Sequence, residues 1–282
     1  MSDDTVEFDL DAYLERIGWE GERRAGVATL QGVHLAHMRG IPFENLDPLR
    51  RSAPSLEPAD LMAKLVHSRR GGYCYEHNTL FSLALEALGF RVTRLAARVV
   101  VGADRIESRP RTHMALLVEV PGEPAPYLAD VGFGAIGALL EPVPLVVGAE
   151  FPDAGRRHRL MHAEAHRGPL EMWVLEAYSR EKDEGAGAWR AQYAFTLEPF
   201  EKPDFEVINW HIGTNPRSPF TQRLYVQRVT PDRHLLLHGP LLTETWADGT
   251  VREREVTDEA EARRVLEEDF EVAAPVGMTL LV

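Results

Sequence analysis

One thiol stands in 282 residues. It is Cys74, in the stretch RGGYCYEHNTLFSLALEALGF from Arg70 to Phe90. Gly71 and Gly72 allow a tight turn before it, and an apolar helical run follows it. The thiolate, not the thiol, is the nucleophile, and the positive end of a helix dipole favours it. Free backbone N–H groups at the same helix end, such as that of Tyr75, can hold an oxyanion during acyl transfer. The commoner fate of a free cysteine is burial as a small apolar side chain. A base, and a group to orient that base, must be found before the reactive reading gains weight.

Eleven histidines compete for that role. His113 stands in RTHMALLVEV, where a strand begins and a sheet can fix an imidazole. Asp130 stands in YLADVGFG, at the end of another strand-like run and before a glycine turn. An acid between alanine and valine in an apolar strand is costly unless paired, and an imidazole N–H is a natural partner. Asp130 can equally bond the turn amides of Gly132 to Gly134, and His113 can be a half-exposed strand histidine. Spacing alone does not choose His113. Other motifs carry less. HRLMHAEAH sets His158, His162 and His166 four apart, a metal face only on a helix; no helix is supported there, and the segment reads as a solvated, arginine-rich surface. His77, beside Glu76, reads as a surface or capping residue. GFGAIG lacks both the lysine of a phosphate loop and the spacing of a dinucleotide fingerprint.

The elements that must position these residues divide the chain. Up to Phe90 the pattern is helical: LDAYLERIGW and VATLQGVHLAHM carry apolar residues three and four apart. A further helix is expected from Pro58, with Gly71 just past its end. The helix after Cys74 is apolar nearly all round, hence buried, and Gly89 ends it. From Arg91 onward RVTRLAARVVV, HMALLVEV, YLADVGF, MWVLEAY and WRAQYAFTL read as strands between Gly/Pro connectors, which suggests a mainly antiparallel barrel or sandwich. From near Pro203 come QRLYVQRV and HLLLHG, a tight hairpin at Asp248-Gly249, and a last helix with Thr257 as N-cap. The boundaries are 1–90, 91–203 and 204–282.

Composition bounds the rest. The chain is 44% hydrophobic and 27% charged, ordinary for a soluble globular protein, and no apolar run reaches the length of a membrane span. The acidic start MSDDTVEFDL lacks the regions of a signal peptide, and one cysteine cannot form an intramolecular disulfide, so a cytoplasmic protein is expected. A net charge of −13 argues against nucleic-acid and anionic-membrane surfaces. It leaves an anionic small ligand open, because backbone amides can hold phosphates.

RGGYCYEHN, RTHMALLV and YLADVGFG, in this order, resemble the arylamine N-acetyltransferases, as do IPFENLD (Ile41 to Asp47) and NWHIGTNPRSPF (Asn209 to Phe220). The wording is most like that of actinobacterial members. The resemblance implies an α+β fold: a helical first domain, a central antiparallel β-barrel and a C-terminal α/β lid around a cysteine-protease-like core. It implies a triad of Cys74 as nucleophile, His113 as base and Asp130 as orienting acid. It also implies ping-pong transfer of acetyl from acetyl-CoA, the co-substrate, to arylamines, arylhydrazines or N-hydroxyarylamines, with no metal or bound prosthetic group. The aromatic pocket falls on Phe43, Phe133 and Phe220, with Tyr75 beside them; simple core packing also accounts for a phenylalanine. CoA contacts fall on Thr112, Gly132 and Gly134, with Thr214 in addition. His77 stands where many relatives have Leu, Gly213 where serine is common, and Ala135 where a second glycine is frequent. These departures bear on CoA placement and acceptor range. Rival readings are an amide synthase of the same family acting on a carrier-bound polyketide, a thiol hydrolase, and a binding module with a structural cysteine. Oligomeric state is open.

Overall fold

Local signals set the helices. The computed structural model describes residues 8–153, 156–163, 168–179, 187–246 and 248–281. Helix α1 (Leu10–Ile17) starts at Asp9, whose carboxylate accepts the Ala12 N–H, and stops at Gly18, with φ of +68°. After it come α2 (Val27–Gly40), the two-residue strand β1 (Phe43–Glu44) and α3 (Leu46–Leu49). Pro58 opens α4 (Pro58–Leu61), which runs into a π-helical turn, Met62–Val66. That helix ends well before Gly71, so Gly71 is not its cap. The glycine is needed because a Cβ there would overlap the Pro42 carbonyl. Helix α5 (Cys74–Ala87) begins on the cysteine, and Gly89, at φ +90°, follows its end. Its burial extends to polar residues: Glu76, His77, Asn78 and Ser82 are all inside.

The middle of the chain forms one sheet. Its strands are β2 (Arg91–Val99), β3 (Arg111–Glu119), β4 (Tyr127–Ala129), β5 (Val143–Pro144), β6 (Glu150–Asp153), β7 (Arg156–His162), β8 (Trp173–Ser179) and β9 (Ala188–Pro199). All neighbours are antiparallel, in the order β5-β4-β3-β2-β9-β8-β7-β6. Val147, just after one edge strand, bridges back to Leu160 on β7, so the sheet nearly closes into a barrel. The HRLMHAEAH segment departs from expectation. His158 and His162 lie on β7, and His158 is fully buried with Nε2 3.1 Å from the Gly137 carbonyl. His166 lies outside the described residues. The run alternates inward and outward at period two, and its arginines mask the inward face from a reading of sequence.

Helix α6 (Lys202–Thr214) leads to β10 (Tyr225–Val229), β11 (Arg233–His238), β12 (Leu241–Trp246), β13 (Val251–Glu255) and α7 (Glu259–Glu268). These strands form a second antiparallel sheet, and β1 from the helical part pairs onto its β10 edge, Phe43 opposite Gln227. Gly249, at φ +86°, makes the turn between β12 and β13. The cap of α7 is Asp258 rather than Thr257: its carboxylate accepts the Glu261 N–H at 2.8 Å, while Glu261 in turn accepts the Thr257 N–H. Among the described residues no helix is long and apolar enough to cross a membrane.

Candidate active site

The N-terminus of α5 is held by charge. Glu76, in its first turn, accepts the Tyr73 N–H at 3.1 Å and the Lys64 ammonium at 2.6 Å. Lys64 also bonds Asp47, and Arg70 bonds Glu44 (2.7 Å) and Asp47 (3.3 Å). Three acids and two bases thus tie the glycine turn to β1, α3 and the π turn. Burial, resisted by Lys64 and assisted by Glu44 and Asp47, pushes the Glu76 carboxyl up to about 7.

Cys74 is the first residue of α5 and is almost fully buried, its Sγ 4.0 Å from the Thr112 carbonyl. The next residue along β3 is His113. Its Nε2 lies 2.6 Å from Asp130 Oδ2, and the Cys74 side chain is among its neighbours. Burial opposes a charge on this imidazole. The Asp130 carboxylate, helped by the nearby Cys74, outweighs that and raises its pKa to about 10. Burial also works to raise Asp130, but His113, Asn78 and the Gly132 amide hold it below the usual carboxylate range.

The glycine turn after Asp130 is as close as two backbones allow. A Cβ on Gly132 would stand 2.7 Å from Cys74 Cα, and one on Gly134 would stand 2.7 Å from the Phe43 ring. Both glycines are therefore explained by packing. Phe133 between them lies edge-on to His113 with centroids 5.2 Å apart, and Tyr193 packs on the same imidazole at 5.0 Å. Phe43 and Phe220 stand 5.9 Å apart in a separate cluster with Tyr73 and Tyr225. The Tyr225 hydroxyl donates to the Gly134 carbonyl at 2.8 Å, joining that cluster to the turn. The Tyr75 ring is buried against Tyr73 and Phe205. Thr214 is set apart from this group: its hydroxyl donates to Trp210 O within α6.

A thiol, an imidazole and a carboxylate thus gather where the start of α5 meets β3 and the turn after β4. A family model described as N-acetyltransferase covers residues 26–276. An arylamine N-acetyltransferase of Mycolicibacterium smegmatis is 43% identical over 234 residues, 82% of this chain and 80% of the relative. The chain belongs to the arylamine N-acetyltransferase family. The crystal structure of the Nocardia farcinica arylamine N-acetyltransferase superposes with a TM-score of 0.86 at 41% identity, over 96% of this chain and 92% of that one. The Mycobacterium marinum enzyme in complex with CoA superposes at 0.84 and 35% identity, over 94% and 93%.

Within this family member, three buried groups around the acid escape a reading of sequence. Asn78, one turn along α5 from Cys74, donates to Asp130 Oδ1 (2.9 Å) and to the Met114 carbonyl (2.7 Å), and accepts the Val131 N–H (3.1 Å). It fastens α5 to β3 and to the turn after β4. His34 on α2 accepts the Asp130 N–H through Nε2 at 3.1 Å and donates through Nδ1 to the Leu140 carbonyl at 3.0 Å; burial drives its pKa down to about 4, so it is neutral. Tyr193 completes the packing. The spacing of Asn78 from Cys74, one helical turn, was the available signal for the first. The expected surface role of His77 is wrong: it is 1% exposed, because the first turn of α5 is wholly buried.

Proposed function

We propose that this arylamine N-acetyltransferase carries the acetyl group on Cys74, with His113 and Asp130 as its base and orienting acid. One observation supports the reading above the rest: His113 bonds Asp130 at 2.6 Å directly beside the start of α5, where the Cys74 sulfur lies 4.0 Å from the carbonyl of Thr112, the residue before His113. A cysteine that starts a helix beside an imidazolium is placed to react as the thiolate. The Cys74 thiolate attacks the thioester carbonyl of acetyl-CoA. A carbon–sulfur bond forms to Cys74, the bond to CoA breaks, and the departing sulfur takes the proton of His113. Backbone N–H groups at the start of α5, that of Tyr75 among them, stabilise the tetrahedral oxyanion. In the second half-reaction an aromatic amine nitrogen attacks the acyl-cysteine and passes its proton to His113. The thiolate is regenerated and the amide leaves.

The residues around the triad support the two substrates. CoA approaches along Thr112 and the Gly132–Gly134 turn, which touches Cys74 directly. Phe133 against His113, with Phe43 and Phe220 beyond Gly134, forms an apolar wall for an arylamine, arylhydrazine or N-hydroxyarylamine. Segment 1–90 supplies the nucleophile, 91–203 the base and acid, and 204–282 the Phe220 side of the wall. The lone free thiol fits a reducing, cytoplasmic setting.

Intact-protein mass spectrometry tests this. Acetyl-CoA alone is expected to add one acetyl group, located on Cys74 by peptide mapping, and an arylhydrazine is expected to discharge it. Cys74→Ala should abolish both. Acetylation at another residue, or turnover by Cys74→Ala, would overturn the assignment.

A further inference from the structure

His77 sits three residues past Cys74 on α5 and takes no part in the triad. It ends a line of buried polar groups. The Tyr13 hydroxyl is 2.8 Å from His37 Nδ1, His37 Nε2 is 2.8 Å from His77 Nδ1, and His77 Nε2 is 3.2 Å from the Pro42 carbonyl. Tyr13, His37 and His77 are each no more than 1% exposed. The direction of every bond is forced. A carbonyl only accepts, so His77 Nε2 carries the hydrogen and Nδ1 is bare. His37 must then donate through Nε2 and accept the Tyr13 O–H at Nδ1. Burial holds both imidazoles neutral and keeps the phenol protonated. Both ends of the line are closed, one by a core phenol and the other by a peptide carbonyl. It therefore holds something in place and is not a route for protons to solvent.

What it holds is the strand before the aromatic wall. Pro42 precedes Phe43, and the Phe43 ring lies parallel to the His77 imidazole, 6° between planes and 6.2 Å between centroids. β1 is only two residues long, with two register pairs to β10 and one bridge to Gly72. So short a strand has few ladder bonds of its own to fix Phe43. We propose that His77, backed by His37 and Tyr13, is a positioning residue that sets Phe43 relative to Cys74 and so tunes affinity for the aromatic acceptor. One helix then carries both the nucleophile and the post that places the acceptor wall. The inference rests on the reading of Cys74 as acyl carrier and Phe43 as pocket wall.

The test separates the two half-reactions in the full-length protein: the rate of Cys74 acetylation in a single turnover, and the KM for an arylhydrazine. His77→Leu leaves Pro42 O and the His37 N–H unpaired. It is expected to raise acceptor KM about fivefold or more, with the acetylation rate within about twofold of wild type. His77→Gln offers an amide that donates to Pro42 O and accepts from His37, and should return KM to within about twofold. Tyr13→Phe, remote from the wall, should shift KM in the same direction by less. An unchanged KM in His77→Leu, a parallel fall in both half-reactions, or a glutamine no better than leucine overturns the proposal. Should His77→Leu fail to fold, Tyr13→Phe and His37→Gln decide, and an unchanged acceptor KM in both overturns it. Wild-type protein that is not acetylated on Cys74 defeats the underlying reading instead.

Discussion

His113 and His77 are both buried, both contact groups at one end of α5, and carry opposite charge states. His113 is raised to about 10 and His77 is lowered to about 4. Burial disfavours the imidazolium in each, so burial cannot account for the difference. The partner does. His113 faces the Asp130 carboxylate, itself steadied by Asn78 and the Gly132 amide, whereas His77 faces a carbonyl and a second neutral imidazole. One helix thus separates a charged centre suited to proton transfer from a neutral one suited to holding position.

The most severe way to break the contrast is to remove the carboxylate. In Asp130→Asn, His113 loses the group that overcomes burial, and the amide N–H can donate to Nε2 and move the imidazole hydrogen to Nδ1, the opposite tautomer. The kcat/KM at pH 7 is expected to fall by about 10³- to 10⁴-fold, the scale of such a loss in other triads, while the protein still unfolds cooperatively. A loss of less than tenfold would mean that His113 does not depend on Asp130. Glu76→Ala comes next. It strips the cap from Tyr73 N–H and leaves Lys64 with one acid fewer, at a cost of about 3 kcal/mol in urea unfolding; a change below about 0.5 kcal/mol would show that the charge cluster does not hold the turn. Gly132→Ala drives a methyl group into the Cys74 backbone. An overpacking cost of about 1–3 kcal/mol is expected, with the acetylation rate lowered more than the acceptor KM is raised.

The charged half of this contrast was more legible in the sequence than the neutral half. An acid between Ala129 and Val131 announces a buried partner, and a cysteine after Gly71-Gly72 announces a helix start. Pairing these with His113 needed the resemblance to a family, because spacing left eleven histidines open. His34 is legible only in three dimensions, reaching Asp130 across 96 residues of chain, and for Asn78 the sequence offers only its one-turn spacing from Cys74, its acid partner lying 52 residues on. The burial of His77 is hidden for a related reason. Beside Glu76 it looks polar and exposed, yet both side chains lie on the buried first turn of α5, where each finds a partner from another element. The same limit applies to His158, where arginines on the outer face of β7 hid an inward imidazole. Fold class fared better, since helix periodicity, strand texture and turn glycines are local. Thr257 against Asp258 as N-cap shows the one-residue uncertainty that remains at an element's end.

The gentlest way to sharpen the contrast is pH, because the two imidazoles pull stability in opposite directions. His113 in the folded protein keeps a proton that the unfolded chain loses near its ordinary 6.5. Its contribution is therefore complete below about 6.5 and is lost as pH rises through about 10. His77 refuses, down to about 4, a proton that the unfolded chain accepts near 6.5. Stability on its account falls as pH drops through that window. His77→Leu should flatten the acid limb of a stability–pH curve by up to one proton, about 1.4 kcal/mol per pH unit, and leave the alkaline limb alone. Asp130→Asn should flatten the alkaline limb and, because burial alone then acts on His113, steepen the acid limb below about pH 6.5. Urea unfolding at intervals across both limbs measures this. Should His77→Leu flatten the alkaline limb, or Asp130→Asn leave that limb unchanged, the imidazoles are not the separate charged and neutral centres that their partners make them.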